Sequence, residues 1–330
     1  MGILRGGWLR LVIFLLSFGL FSSTLRAADN SSFNPGKISF WLKVKDLKVN
    51  YKTFSVFVLP DEKLSLEVID PYKQSRYTLD SPVKAAPEDG GNKWQWRAPS
   101  ETGLYSVKIS DAARQESITL NVFVMVPASK QNGEYLNGYR VGEYPSTALN
   151  GNPAYEQPKG FIEVTDKNQE TQLSPHFKLK QFLCKQPGTT KYLVLEEKLL
   201  VKLEHVLQKV NELGYACESF NVMSGYRTPY YNRSIGNVMY SRHVYGSAAD
   251  IFIDESPKDG VMDDLNKDGR IDKQDAEVLY DVVEAMYGGE TVSTQLVGGI
   301  GVYNKNASHG PFIHVDVRGT QAHWGMRKMQ

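Results

Sequence analysis

The sequence predicts an α+β protein whose N-terminal side is all β. Two observations carry this. From about residue 36 to 127, short runs alternate apolar and polar side chains and are divided by turn residues, the pattern of strands with one buried face. From about 161 to the end, strand-like runs mix with amphipathic helical runs, without the strict alternation of βαβ units.

In the first region the spacing predicts strands over 38–44, 54–59, 64–69, 104–109 and 118–126, with breaks at Pro60-Asp61-Glu62 and Glu88-Asp89-Gly90-Gly91-Asn92. Strands at this spacing argue a β-sandwich. Trp94-Gln95-Trp96-Arg97-Ala98-Pro99, then Gly103-Leu104-Tyr105, resembles the late strands of bacterial immunoglobulin-like modules. The expected role is a spacer or docking module. Residues 128–160 are rich in Gly, Pro, Asn and Tyr without periodicity and read as a linker with an extended stretch packed on one neighbour.

The C-terminal region, 161–330, opens with a strand over 161–164. A helix is predicted over 193–213, where Leu199, Leu200, Leu203, Val206, Leu207 and Val210 recur at helical spacing and Gly214 stops it. Strands follow at 220–223 and 250–253, a second helix at 273–286, and strands at 298–303 and 312–317.

The first 27 residues read as a secretory signal: Arg5 and Arg10, then an apolar run to Phe21, then small residues at Ala27 and Ala28. An uncleaved anchor is the rival reading, but the run is short for a span. The expected location is periplasmic or secreted. A net charge of +1 and the absence of a basic run argue against nucleic acid as a partner. Export permits a disulfide, and Cys184 and Cys217, which flank the first helix, are expected to form one.

The chemistry gathers in the last third. His243 and Asp250 stand seven residues apart, with Gly246 and small residues Ser247-Ala248-Ala249 between them. Asp250 begins an apolar strand, and His314 lies on another, on the same face as Phe312 and Asp316. Two imidazoles and a carboxylate can hold zinc and leave one position open, so these residues predict a metallohydrolase.

Ser224-Gly225-Tyr226-Arg227-Thr228-Pro229, Ser241-Arg242-His243-Val244-Tyr245-Gly246-Ser247-Ala248-Ala249-Asp250-Ile251, Gly299-Ile300-Gly301-Val302-Tyr303 and Phe312-Ile313-His314-Val315-Asp316-Val317-Arg318 together resemble the M15 peptidases. These are zinc D-alanyl-D-alanine carboxypeptidases and murein endopeptidases of the hedgehog-like zinc fold. The resemblance covers about residues 160–325 and implies an antiparallel-sheet peptidase domain acting on peptidoglycan peptides. It implies that His243, Asp250 and His314 bind zinc. It also gives Arg227 the place of the arginine in the family's Ser-Gly-Tyr-Arg motif, where a guanidinium can steady an oxyanion or hold a peptide carboxylate. Many members carry a Glu three residues before the last ligand, where this chain has Pro311. Others use a His five residues before it, which is His309 here. A neutral imidazole there can take a proton from water and pass it on. Asp316 competes as base, or else orients a ligand imidazole. His176, His205 and His323 read as structural.

Between these motifs, residues 264–275 match the spacing of an EF-hand loop, with an aspartate at the last position as in dockerin-like loops. Asp264, Asn266, Asp268, Asp272 and Asp275 would bind calcium with side-chain oxygens and Arg270 with its carbonyl. Pro257 and Gly260 lie just before it and argue against the usual preceding helix. Two other readings stay open: a zinc-fold module that binds without cleaving, favoured by the missing glutamate, and a calcium-stabilised adhesion protein.

Overall fold

The computed structural model describes residues 33–71, 76–88, 91–287 and 294–326. The expected signal segment, residues 1–27, lies outside the described residues. No helix among the described residues is long and apolar enough to cross a membrane.

The N-terminal region contains β1 (Lys37–Val44), β2 (Leu47–Tyr51), β3 (Thr53–Val58), β4 (Lys63–Ile69), β5 (Tyr77–Asp80), β6 (Ala85–Glu88), β7 (Lys93–Arg97), β8 (Gly103–Asp111) and β9 (Glu116–Val124). They form two sheets, β2-β1-β4-β7-β6 and β3-β9-β8-β5. Alternation sets the buried faces: Phe40, Leu42 and Val44 of β1 point inward, and Trp41 and Lys43 point outward. Trp96 is fully buried and donates its indole N–H to Ser81 Oγ at 2.8 Å. The pairing of β3 with β9 is parallel, and the other pairings in these two sheets are antiparallel.

Residues 126–193 hold short strands: β10 (Val126–Pro127), β11 (Tyr135–Leu136), β12 (Tyr139–Arg140), β13 (Gly160–Val164), β14 (Gln172–Ser174), β15 (Phe177–Lys178) and β16 (Lys191–Leu193). β10, β13 and β16 form one sheet, β11 pairs with β12, and β14 pairs with β15. A small core of Val126, Leu136, Tyr139, Val141, Phe161 and Tyr192 fixes this part of the chain. The helix α1 (Glu197–Glu212) begins four residues later than its periodicity suggests. Leu193 instead pairs with Ile162 in a sheet, and Glu196 has extended dihedrals. The α1 leucines and valines at the predicted spacing are all fully buried, each side chain worth roughly 1.5–3 kcal/mol.

Beyond α1 lie β17 (Asn221–Ser224), α2 (Pro229–Ser234), β18 (Ala248–Phe252), α3 (Lys273–Tyr287), β19 (Gly299–Tyr303), β20 (Phe312–Asp316) and β21 (Ala322–Trp324). Their sheet has the order β17-β18-β20-β19-β21, antiparallel apart from the β19–β21 pair. The helix α3 packs against β19 and β20. The region is therefore mixed α and β, mostly antiparallel, with few helices.

The expected disulfide is not formed: Cys184 and Cys217 are both free and buried. Cys184 lies beside Tyr139. Cys217 sits past the end of α1, where Asn211 bonds both its N–H and its carbonyl. Each cysteine thus fills its own packed environment. Residues 264–272 run as bends and irregular chain with no preceding helix, and Asp275 lies in the first turn of α3.

Candidate metal centre and its cavity

Asp250 and His314 are direct neighbours across the antiparallel β18–β20 pair, so their side chains leave the sheet on one face. His243 comes from the 3-10 turn Arg242–Tyr245 just ahead of β18. Gly246 ends that turn at φ 68°, and a Cβ there would lie 2.2 Å from the Val194 carbonyl oxygen. Only glycine allows both the left-handed conformation and this close approach, which brings His243 over the sheet.

The three side chains are buried and convergent. His243 Nε2 lies 3.1 Å from Asp250 Oδ1 and 3.1 Å from His314 Nδ1, and His314 Nδ1 lies 2.9 Å from Asp250 Oδ1. The outer nitrogens set the tautomers. His243 Nδ1 is 2.7 Å from the Gly225 carbonyl, which can only accept, so Nδ1 carries the proton. His314 Nε2 lies 3.2 Å from Asp316 Oδ2 and donates to it. With His314 neutral, two lone pairs and a carboxylate oxygen face one another, and three acceptors in a buried space call for a cation. Four-coordinate zinc with bonds of about 2.0–2.1 Å needs ligand atoms about 3.3 Å apart, so a relaxation of a few tenths of an ångström would admit it.

Burial works against the Asp250 charge, but His243 and His314 beside it hold its carboxyl well below the usual range. Burial also disfavours a charged His314, yet hydrogen bonds to Asp250 and Asp316 outweigh it and raise its pKa. His243 goes the other way: burial, with Arg227 and His314 nearby, lowers its pKa despite Asp250.

Arg227 donates from Nη2 to Asp250 Oδ2 at 2.5 Å and from Nε to Ser224 Oγ at 2.8 Å. It therefore grips the free oxygen of the convergent carboxylate. Asp316 lies behind His314 with no exposed surface. It accepts from Arg318 Nε and Nη2 and from the Gly299 N–H. The Lys202 ammonium, itself buried with its pKa pushed down to about 7 by desolvation, bonds the Asp316 carbonyl at 2.6 Å and the Tyr287 hydroxyl.

The centre opens into a cavity of about 1330 Å³. His309 lines it; Asp316 does not. His309 Nδ1 donates to the Gly310 carbonyl at 2.7 Å, so Nε2 is the acceptor, 2.8 Å from Asn306 Nδ2. Pro311 also lines the wall. Among the described residues no carboxylate apart from Asp250 lines the cavity, while Lys185, Arg227, Arg242 and Arg318 all do. Trp324 and Tyr155 contribute walls that the sequence reading did not include. Trp324 stands 5.1 Å from the His314 ring, ring centre to ring centre.

The loop 264–275 is a separate cluster. Asp264 accepts from the Asp268 and Gly269 N–H groups, and Asp268 from that of Arg270. The buried Asp275 accepts from Leu265, Asn266 and Asp272, closing the loop onto the start of α3.

A family model described as Peptidase M15 matches residues 175–273, less than a third of the chain, spanning His243 and Asp250 and ending before His314. No curated protein and no solved structure matches the chain significantly. M15 is a family of zinc metallopeptidases, and the match, which covers two of the three convergent side chains, supports an M15 peptidase domain here.

Proposed function

We propose that the protein is an exported zinc peptidase that cleaves peptidoglycan stem peptides or cross-links. The observation that carries this reading is the convergence of three buried acceptors, His243, Asp250 and His314, at a large cavity rich in cationic side chains. Zinc held by these three would supply Lewis acidity for a peptide carbonyl and acidify a water molecule. Arg227, anchored by Asp250 and Ser224, steadies the negative charge that develops on the carbonyl oxygen. His309 Nε2, once it gives up its hydrogen bond from Asn306, takes the proton of the attacking water and returns it to the leaving amine. Asp316, sealed behind His314 by Arg318, orients the imidazole and does not reach the reacting atoms. The surplus of cationic side chains suits the carboxylates of stem peptides. The N-terminal sheets serve as an immunoglobulin-like spacer that positions the cavity on the envelope.

Purified zinc-loaded protein is expected to release new muropeptides from isolated sacculi, and His314→Ala to lose this activity along with stoichiometric zinc. Sacculi left equally unchanged by both proteins would sink the reading. Pro311, in the place of the usual glutamate, favours a second reading, a zinc-binding module without turnover. In that case zinc binds stoichiometrically and muropeptides bind uncut.

The loop 264–275 is proposed to bind calcium through Asp264, Asn266, Asp268, Asp272 and Asp275 and the Arg270 carbonyl, pinning the start of α3. The spacing of its oxygen ligands supports this. Millimolar calcium is expected to raise Tm in the wild type and not in Asp264→Ala. Equal Tm values with calcium or with chelator in the wild type would remove calcium from the account.

A further inference from the structure

Residues 141–157, read from sequence as linker, form a strap over one wall of the metal cavity. Its first anchor is Val141, whose carbonyl accepts the Tyr230 N–H at 3.0 Å. Gly142 follows at φ 84°, so close that a Cβ would meet Tyr230 N at 2.6 Å. Tyr144 then donates to the Val244 carbonyl at 3.1 Å and accepts from the Tyr226 hydroxyl at 2.9 Å. Thr147 accepts from the Tyr240 hydroxyl at 3.2 Å. Finally the Ala154 carbonyl takes a hydrogen bond from Arg242 Nη1 at 2.5 Å. Tyr226 precedes Arg227, and Arg242 and Val244 flank His243. The strap therefore grips the chain on both sides of a candidate zinc ligand.

It ends by presenting one side chain to the cavity. The Arg242 guanidinium lies over the Tyr155 ring at 4.6 Å, while Tyr240 and Tyr245 meet that ring edge-on at 5.9 and 5.5 Å. Arg242 is buried, with its other end 3.5 Å from Glu196. The Tyr155 ring is thus held on several sides. Tyr155 lines the cavity, and its phenol oxygen has no hydrogen-bond partner among the described residues. A ring held this firmly with an unspent donor at its tip is arranged to meet a ligand, since it gives up little freedom on binding.

We propose that Tyr155 is a specificity-determining residue that packs along the bound peptide and donates its phenol hydrogen bond to a peptide oxygen. This rests on the peptidase reading. The test uses full-length, zinc-loaded wild type, Tyr155→Phe and Tyr155→Ala. Turnover is measured on a cross-linked muropeptide dimer, and the Kd of the uncross-linked tetrapeptide product by calorimetry. Tyr155→Phe keeps the ring on Arg242 and removes only the donor. It is expected to raise KM and the product Kd about fivefold, the worth of one ordinary hydrogen bond, with kcat and zinc content unchanged. Tyr155→Ala is expected to weaken both further. Wild-type KM and Kd in Tyr155→Phe would overturn the proposal, as would a fall in kcat at constant KM. If the wild type binds the tetrapeptide without cleaving the dimer, the peptidase reading fails and the Kd values alone decide the role of Tyr155. A wild type that neither binds nor cleaves overturns both.

Discussion

Asp316 and His314 lie two residues apart on one strand, which places both side chains on the same face. That spacing was legible in the sequence, as was the grouping of His243, Asp250 and His314 through their motifs. Which of His309 and Asp316 faces the cavity was not legible. Both are polar, both lie near the last histidine, and only the Arg318 pairing and the Gly299 N–H show Asp316 turned away. Tyr155 was invisible for a different reason: a lone tyrosine in an aperiodic stretch carries no signal of what it stacks on. A carboxylate that accepts from the outer nitrogen of an imidazole fixes its tautomer and orientation, and losing such a partner typically weakens metal binding 10–100-fold. Asp316→Asn, which retains the shape and removes the charge, is expected to weaken zinc affinity by about that factor, read by competition with a chromophoric chelator. Zinc affinity equal to wild type would mean that His314 is oriented by other contacts. Arg318 loses its partner in the same variant, so Tm measured at saturating zinc separates a loss of folding from a loss of metal affinity.

At the scale of elements, legibility followed length and periodicity. The α1 helix shows an apolar stripe over four turns, and its stripe is the face that the core buries. β1 and β4 alternate through seven or eight residues and are equally plain. β6 is not: it has four residues, includes Pro87, has no fully buried member and lies at the edge of its sheet, where a proline is tolerated. β10, β11 and β12 have two residues each, too few for any alternation to appear. The start of α1 was misjudged because Leu193 fits a helical stripe as well as it fits the strand pairing with Ile162. A non-local backbone partner overrode a local preference there. The parallel pairing of β3 with β9 is likewise set by partners more than sixty residues apart, and no local pattern encodes it. The site sheet fared better, because β18 and β20 carry apolar residues and candidate ligands together. Both strands are buried on both faces, so burial alone does not select the register that makes Asp250 and His314 neighbours.

At the scale of the molecule, the division into a β region, a linker and a peptidase region describes the chain's order better than its packing. Beside the small core around Phe161, most of the buried apolar side chains form one continuous cluster from Ile38 in the first sheet to Val317 beyond β20. Polar ties cross the same boundary. Glu197, at the start of α1, accepts from Lys45 Nζ at 2.6 Å and from the Phe57 N–H at 3.0 Å. Lys198 pairs with Asp46 at 2.8 Å, and Asn121 of β9 donates to the Gln172 carbonyl of β14 at 2.8 Å. Regions sharing a core lose that core together, so opening one exposes apolar surface on the other. Calorimetry of the zinc-loaded protein is therefore expected to show one cooperative transition, with van't Hoff and calorimetric enthalpies agreeing. Because zinc would bind only the folded state, a chelator should move that single transition downward as a whole. Two resolved transitions, of which only one responds to the chelator, would show that the N-terminal sheets fold independently of the metal centre. The ties through Glu197 and Lys198 would then be surface contacts between autonomous units.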